Sequence, residues 1–384
     1  MTSAGVSIAA RASPARAGDA LGAIETPALV IDLDALERNI ERMAGFARAH
    51  GMRLRPHAKT HKSAHIARLQ MAAGAVGICV QKVSEAEALA ASGVGDIYIS
   101  NEVVAEDRLA RAAALAGRIR LSIAVDSALG IDRLAKAVHA AASTLDVFVE
   151  VDVGQGRCGV APTQAGSLAR QVVSHAGLRF AGLQAYHGGA QHLRKSAERE
   201  AAIHHAVSAA SAARASVTSA GVPCPLVTGA GSGSFVFEAA SGVYGELQPG
   251  SYVFLDRDYA DNEPSPHAPV FEHALFVRSQ VMSRAYAHAV VDAGHKSHAI
   301  DSGLPRVWGR ELEFANGGDE HGILRPRPGA SADSLPALGE TVWLVPGHCD
   351  PTVNLHDHYV CVRGGLQHGR VEAVWPVDAR GCVG

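Results

Sequence analysis

The stretch Gly77-Ile-Cys-Val-Gln81, Glu85–Ser92, Asp96-Ile-Tyr-Ile-Ser100, Val103–Ala116, Arg120-Leu-Ser-Ile-Ala-Val125 decides the fold. Short runs of Ile, Val and Leu have strand character, and the Ala-rich stretches between them are long enough for helices. Parallel neighbours need such a crossover, so this rhythm reads as βα units feeding one parallel sheet. Working outward, the same kind of run occurs at Arg53–His57, Asp146–Val153, Arg179–Tyr186, Pro225–Gly229 and Glu246–Phe254, with Ser196–Ala220 as another long crossover. Eight parallel strands with intervening helices predict an α/β chain with a closed (β/α)8 TIM-type barrel.

The flanks break the rhythm. A further strand at Ala28–Leu33, followed by a helix from Leu36 to His50, has no place among the eight. Beyond residue 265, apolar runs at Ala274–Val277, Ala289–Val291, Thr341–Val345 and Tyr359–Val362 follow without long helices between them, which predicts a mostly β second domain. The expected division is a flexible N-terminal tail over 1–23, a barrel over 35–265, and a β domain made of 24–34 and 266–384. No repeat or low-complexity linker interrupts it.

Composition narrows the functions. At 384 residues, 47% hydrophobic and 19% charged, the chain can bury a large core. A net charge of −3 with His neutral gives no basic surface for nucleic acid. No apolar run reaches the about 20 residues of a membrane helix. The first residues, with Arg11 and Arg16, lack the apolar centre of a secretory signal, so a tail is the expectation, a transit peptide the alternative. Cys79, Cys158, Cys224, Cys349, Cys361 and Cys382 form no CxxC pair, which points to reduced thiols in the cytoplasm rather than disulfides or a thiolate zinc site.

In barrels of this kind the functional side chains follow the strands. The seventh run leads into Thr228-Gly-Ala-Gly231-Ser232-Gly233-Ser234 and the eighth into Pro249-Gly250-Ser251-Tyr252. Glycines let backbone N–H groups converge on an anion, and these two loop positions are where barrels often bind phosphate; ordinary tight turns are the plain alternative. Lys59 follows the first run, in Pro56-His57-Ala58-Lys59-Thr60-His61-Lys62. Its positive neighbours should lower its pKa, as a Schiff-base lysine requires. A lysine facing phosphate loops suggests a phosphorylated aldehyde cofactor. Arg157, in a glycine-rich loop after the fifth run, would meet that cofactor's ring nitrogen, or be a surface arginine. In Gly347-His348-Cys349-Asp350-Pro351, an extended backbone would turn His348 and Asp350 to one side and Cys349 to the other. One imidazole and one carboxylate suit Mn²⁺, with Mg²⁺, Co²⁺ or Zn²⁺ as alternatives. Asp319-Glu320-His321 is a second polar cluster, read as supporting that site or as a turn.

Five segments together carry a resemblance: Pro56–Lys62, Glu150-Val-Asp-Val-Gly-Gln-Gly-Arg-Cys-Gly159, Gln184-Ala-Tyr186-His-Gly188, Glu246–Tyr252 and Gly347–Pro351. Over about residues 24–380 the chain resembles the D-threonine aldolase/D-serine dehydratase family, with the alanine-racemase-type fold. The resemblance implies pyridoxal 5'-phosphate on Lys59 and Arg157 at the pyridine nitrogen. Tyr186, Thr228, Gly231, Ser232, Gly233, Gly250, Ser251 and Tyr252 would contact the cofactor. A divalent metal on His348 and Asp350, His192 as the base, and a homodimer are also implied. The aldolases carry His-x-Asp and the dehydratases His-x-Cys; Asp350 matches the former. The implied activity is retro-aldol cleavage of D-β-hydroxy-α-amino acids, D-threonine giving glycine and acetaldehyde. The alternatives are a 3-hydroxy-D-aspartate aldolase, for whose extra carboxylate Arg194 and Arg257 are candidate cations, a D-serine or hydroxyaspartate dehydratase, and a non-catalytic pyridoxal-phosphate-binding protein.

Overall fold

The computed structural model describes residues 13–384. Its strands are β1 (Ala28–Asp32), β2 (Arg53–Leu54), β3 (Ile78–Val80), β4 (Asp96–Glu102), β5 (Arg120–Val125), β6 (Leu145–Glu150), β7 (Leu178–Ala185), β8 (Val227–Gly229) and β9 (Glu246–Leu247). They continue with β10 (Leu275–Arg284), β11 (Ala289–Val291), β12 (Arg306–Val307), β13 (Leu312–Asn316), β14 (Gly322–Pro326), β15 (Thr341–Val345), β16 (His358–Arg363) and β17 (Arg370–Pro376).

Strands β2 to β9 form one eight-stranded sheet in the order β2-β9-β8-β7-β6-β5-β4-β3, and every pairing within it is parallel. Its two ends meet through a parallel bridge between His57 and Cys79. There Ala58 N–H donates to Cys79 O at 2.8 Å and Cys79 N–H to Pro56 O at 2.8 Å. The alternation found in the sequence therefore closes on itself as an α/β barrel. All six residues of β6 are buried, as both faces of a barrel strand must be. Small side chains such as Ala112, Ala113, Ala206, Ala210 and Ala213 are fully buried in the core that joins helices to strands. They let the helices lie close on the sheet. At the closing seam, Arg55 is buried and ion-paired with Asp96 at 2.6 Å and Glu246 at 3.3 Å. A Cβ on Gly77 would lie 2.3 Å from its guanidinium, so that position admits only glycine.

The second sheet has nine strands. Within it β1 pairs antiparallel with β10 and parallel with β16, so the barrel lies in sequence between two neighbours of one sheet. Helix α1 (Leu33–Ala49) begins directly after β1, where the Asp32 carboxylate accepts from Ala35 N–H at 3.1 Å.

Three expectations change. The run Glu246–Phe254 is strand only over β9; Pro249 has no N–H to continue a ladder, and Ser251–Val253 turns as a 3-10 helix. The tail reading does not hold for 13–23: Ala15 is buried, Gly18 N–H donates to Val371 O at 2.8 Å and Ala20 bridges to Arg370. The remainder of that expected tail, 1–12, lies outside the described residues. His348 to Pro351 is not extended. His348 caps a five-residue helix, Cys349–Val353, whose first N–H is held by Asp256 Oδ2 at 3.0 Å. No helix among the described residues is long and apolar enough to cross a membrane.

Candidate active site

The loops after the barrel strands enclose a cavity of about 150 Å³. Lys59, Arg157, Tyr186, Gly231, Ser232, Gly250 and Ser251, all singled out from the sequence, line it. The two glycine-bearing loops form one wall, because Tyr252 N–H donates to Ser232 Oγ at 2.9 Å. Gln191 shapes the first of them by accepting from Gly233 N–H at 2.9 Å. A Cβ on Gly231 would lie 2.4 Å from Gln191 Oε1, and one on Gly250 2.6 Å from Thr60 Oγ1. Backbone thus lines the cavity where any side chain would intrude.

Arg157 projects from a loop folded around one carboxylate. Asp152 Oδ1 accepts from Gly154 N–H at 2.9 Å and Gly156 N–H at 3.0 Å, and both glycines have positive φ. The Arg157 guanidinium carbon lies 5.6 Å from the centre of the Tyr186 ring, within cation–π range. At the end of β6 the buried Glu150 carboxyl is pushed above the ordinary carboxylate range, by burial first and then by the negative charge of Glu102.

Lys59 corrects a sequence expectation. Its Nζ donates to Asp350 Oδ2 at 2.9 Å, and this carboxylate holds its pKa above the ordinary lysine value, not below it. The neighbouring positive charges are spent elsewhere. Lys62 turns away to a buried pair with Glu85 at 2.5 Å. His57 and His61 are buried, which favours their neutral forms.

At this end of the cavity His348 and Asp350 converge, with His348 Nε2 3.9 Å from Asp350 Oδ1. That Oδ1 is buried and has no hydrogen-bond partner. Burial alone would raise the Asp350 pKa, yet Lys59 and His348 bring it down to about 2, so it is a carboxylate. His348 Nδ1 is engaged by Asp301 Oδ2 at 2.7 Å, which leaves Nε2 turned toward Asp350. An imidazole oriented by a second carboxylate and an unsatisfied buried oxygen are what a cation site requires. No cluster of three or more His, Cys, Asp or Glu ligands occurs among the described residues, so protein would supply two donors and leave the other positions open.

The remaining expected residues sit further out. Thr228 is fully buried between Glu246 Oε1 at 2.9 Å and Gln248 Nε2 at 2.7 Å, and it does not line the cavity. Gly233 and Tyr252 line a neighbouring cavity instead. His192 is half-exposed, with Nδ1 2.8 Å from Asp258 Oδ2 and its ring 6.2 Å from that of Tyr259, a wall residue. Asp319 and Glu320 are engaged in surface ion pairs with His295 and Lys296. Sequence reading passed over Gln81, Ser100, Gln184, Gln248 and Tyr259, which complete the cavity. Gln81 Nε2 reaches His57 Nε2 at 2.9 Å, and His57 meets Ser100 Oγ at 3.1 Å. Position was the one signal for four of them: Gln81 and Gln248 directly follow barrel strands, and Ser100 and Gln184 lie near the ends of β4 and β7, whereas Tyr259, in the short helix Arg257–Ala260, had none.

A closed parallel barrel with a lysine on its rim, joined to a β sheet that brings the Asp350 carboxylate to that lysine with His348 beside it, defines a class. Residues 31–258 match the family described as alanine racemase, N-terminal domain, and residues 274–362 the putative serine dehydratase domain. The chain is 46% identical over 372 residues to a D-threonine aldolase of Arthrobacter sp, covering 96% of each chain. It is 42% identical over 379 residues to a 3-hydroxy-D-aspartate aldolase of Paracoccus denitrificans (strain Pd 1222), covering 96% of this chain and 95% of that one. The crystal structure of D-threonine aldolase from Filomicrobium marinum superposes with a TM-score of 0.93 at 48% identity, covering 97% of this chain and all of that one. The chain belongs to the D-threonine aldolase/D-serine dehydratase family of alanine-racemase-fold proteins.

Proposed function

We propose that the chain is a pyridoxal-phosphate- and divalent-metal-dependent lyase that cleaves D-β-hydroxy-α-amino acids, D-threonine giving glycine and acetaldehyde. One observation carries the reading: the unsatisfied Asp350 Oδ1 facing His348 Nε2, with Lys59 on the other oxygen of the same carboxylate. The barrel, 35–265, would carry the cofactor, and the β domain, 24–34 and 266–384, the metal.

When bound, the cofactor takes up the electron pair released as Cα–Cβ breaks, and the metal, Mn²⁺ in the first place, makes the β-hydroxyl more acidic. Lys59 ties the cofactor covalently. Arg157, in the cavity wall, would meet its ring nitrogen and, keeping its own protons, would leave that nitrogen unprotonated. Gly231, Ser232, Gly250 and Ser251 hold the phosphate, and Tyr186 packs beside Arg157. His348 and Asp350 hold the metal. His192 takes the hydroxyl proton at Nε2, the nitrogen not engaged by Asp258. The D preference and a homodimer are carried by the family resemblance. A reducing compartment, the cytoplasm, agrees with six free cysteines.

A neutral β-substituent is favoured over a carboxylate. Arg194 is committed to Asp258 and Asn262, and Arg257 to Asp261 and Leu304 O. A second substrate carboxylate, as 3-hydroxyaspartate would bring, would have to compete with Asp258 or Asp261 for either guanidinium. The test is incubation with pyridoxal phosphate and Mn²⁺, then D-threonine or D-3-hydroxyaspartate, assaying glycine and aldehyde. Glycine and acetaldehyde from D-threonine, suppressed by EDTA, are expected. Keto acid and ammonia without glycine would contradict the aldolase reading.

A further inference from the structure

His192 and the His348–Asp350 pair belong to different parts of the chain, one on the barrel rim after β7, the other after β15 in the second sheet. One short segment, Asp256–Tyr259, touches both. Its backbone carries the metal segment: Arg257 N–H donates to Pro346 O at 3.0 Å and Asp258 N–H to Gly347 O at 3.1 Å. Asp256 holds the segment's own shape, accepting from Tyr259 N–H at 3.0 Å with one oxygen and from Cys349 N–H at 3.0 Å with the other. Tyr259 lines the cofactor cavity. The side chain of Asp258 is buried, and its Oδ2 lies 2.8 Å from His192 Nδ1. Its Oδ1 accepts from the Arg194 guanidinium at 2.5 Å, and Arg194 also bonds Asp258 O.

A carboxylate can only accept, so neutral His192 must carry its proton on Nδ1 and present the lone pair of Nε2. We propose that Asp258 is the positioning residue for His192: it fixes the Nδ1–H form, points Nε2 at the substrate hydroxyl, and through its own backbone sets the base at one distance from the metal segment. The inference rests on the reading of His192 as base. Arg194 makes Asp258 more than an interchangeable acceptor. In Asp258→Asn the guanidinium would claim the amide oxygen. The amide NH₂ would then face His192 Nδ1, which must accept, and the ring would carry its proton on Nε2, where it cannot act as a base.

The experiment compares wild type, Asp258→Asn, His192→Ala and the double variant. It reads kcat and KM on D-threonine, pyridoxal-phosphate absorbance, Mn²⁺ affinity, and the ¹⁵N signals of His192 in the protein without cofactor. Asp258→Asn is expected to lower kcat by about 100-fold, the lower end of what a general base contributes. KM, absorbance and metal affinity should hold, and the His192 proton should move from Nδ1 to Nε2. In the His192→Ala background the same change should cost nothing further. An equal loss in that background would overturn the proposal in favour of a purely structural role. So would a wild-type signal with the proton on Nε2. A fully active His192→Ala would overturn the base reading instead, and the ¹⁵N signals would still decide whether Asp258 sets the ring's form.

Discussion

The two ends of the active-site cavity are built from opposite materials. At the end proposed for the phosphate, Gly231, Ser232, Gly250 and Ser251 offer backbone and hydroxyls, and the loops hold each other through neutral hydrogen bonds such as Tyr252 N–H to Ser232 Oγ. At the end proposed for the metal every principal group is ionisable: Lys59, Asp350, His348 and Asp301 form a chain with contacts of 2.9, 3.9 and 2.7 Å. The difference matches what each would bind in the proposed function. A phosphate is met by convergent N–H groups at no desolvation cost of a second charge. A divalent cation needs fixed anionic and imidazole donors, and these are costly to bury unless they hold one another. One end is set by shape, the other by charge.

Each end can be broken separately. Lys59→Ala should have the largest effect, because this residue serves both: no yellow colour on adding pyridoxal phosphate and no glycine from D-threonine. A retained chromophore would refute its assignment. Gly250→Ala attacks shape alone. Its methyl would press on Thr60 and His57 O. Overpacking of this kind costs about 1–3 kcal/mol, so pyridoxal-phosphate affinity should fall about 10- to 100-fold, with Mn²⁺ affinity intact. Asp301→Asn attacks orientation at the other end. Metal affinity should fall about tenfold, by the usual weight of a carboxylate behind a ligating histidine, while the cofactor stays bound. The smallest change lies outside both ends. Glu272 is held down to about 2 by its hydrogen bonds to Arg38 and Arg42. Its folded pKa lies below its unfolded value, so its contribution is present above about pH 4.5 and fades as the pH falls toward 2. Glu272→Gln should lower the thermal midpoint slightly at pH 7, by an amount that disappears near pH 2, with both ligand affinities unchanged.

The cavity wall made by the two glycine-bearing loops was legible in the sequence because it is local. Gly-Ser loops after runs seven and eight, and a lysine after run one, follow from strand counting and from the freedom glycine gives the backbone. The barrel was legible for the same reason: Ile78–Val80, Ile97–Ile99 and Leu121–Ile123 pair in register as the alternation required. The convergence of His348 and Asp350 was legible only as two residue types. What sets its behaviour comes from far along the chain. Asp350 lies 291 positions from Lys59, and it reversed the direction expected for the lysine's pKa. Asp301 and Asp258 carry no motif and gain their parts only by meeting His348 and His192. Thr228 erred the other way. It lies in strand β8, just before the loop, and its side chain is turned into the barrel, onto Glu246 and Gln248.

The separation of the two ends is tested most directly by titrating Asp350→Ala with Mn²⁺ and with pyridoxal phosphate side by side. The arrangement predicts that Mn²⁺ affinity is lost while the cofactor still binds and colours the protein through Lys59. Undiminished Mn²⁺ affinity in that variant would contradict it.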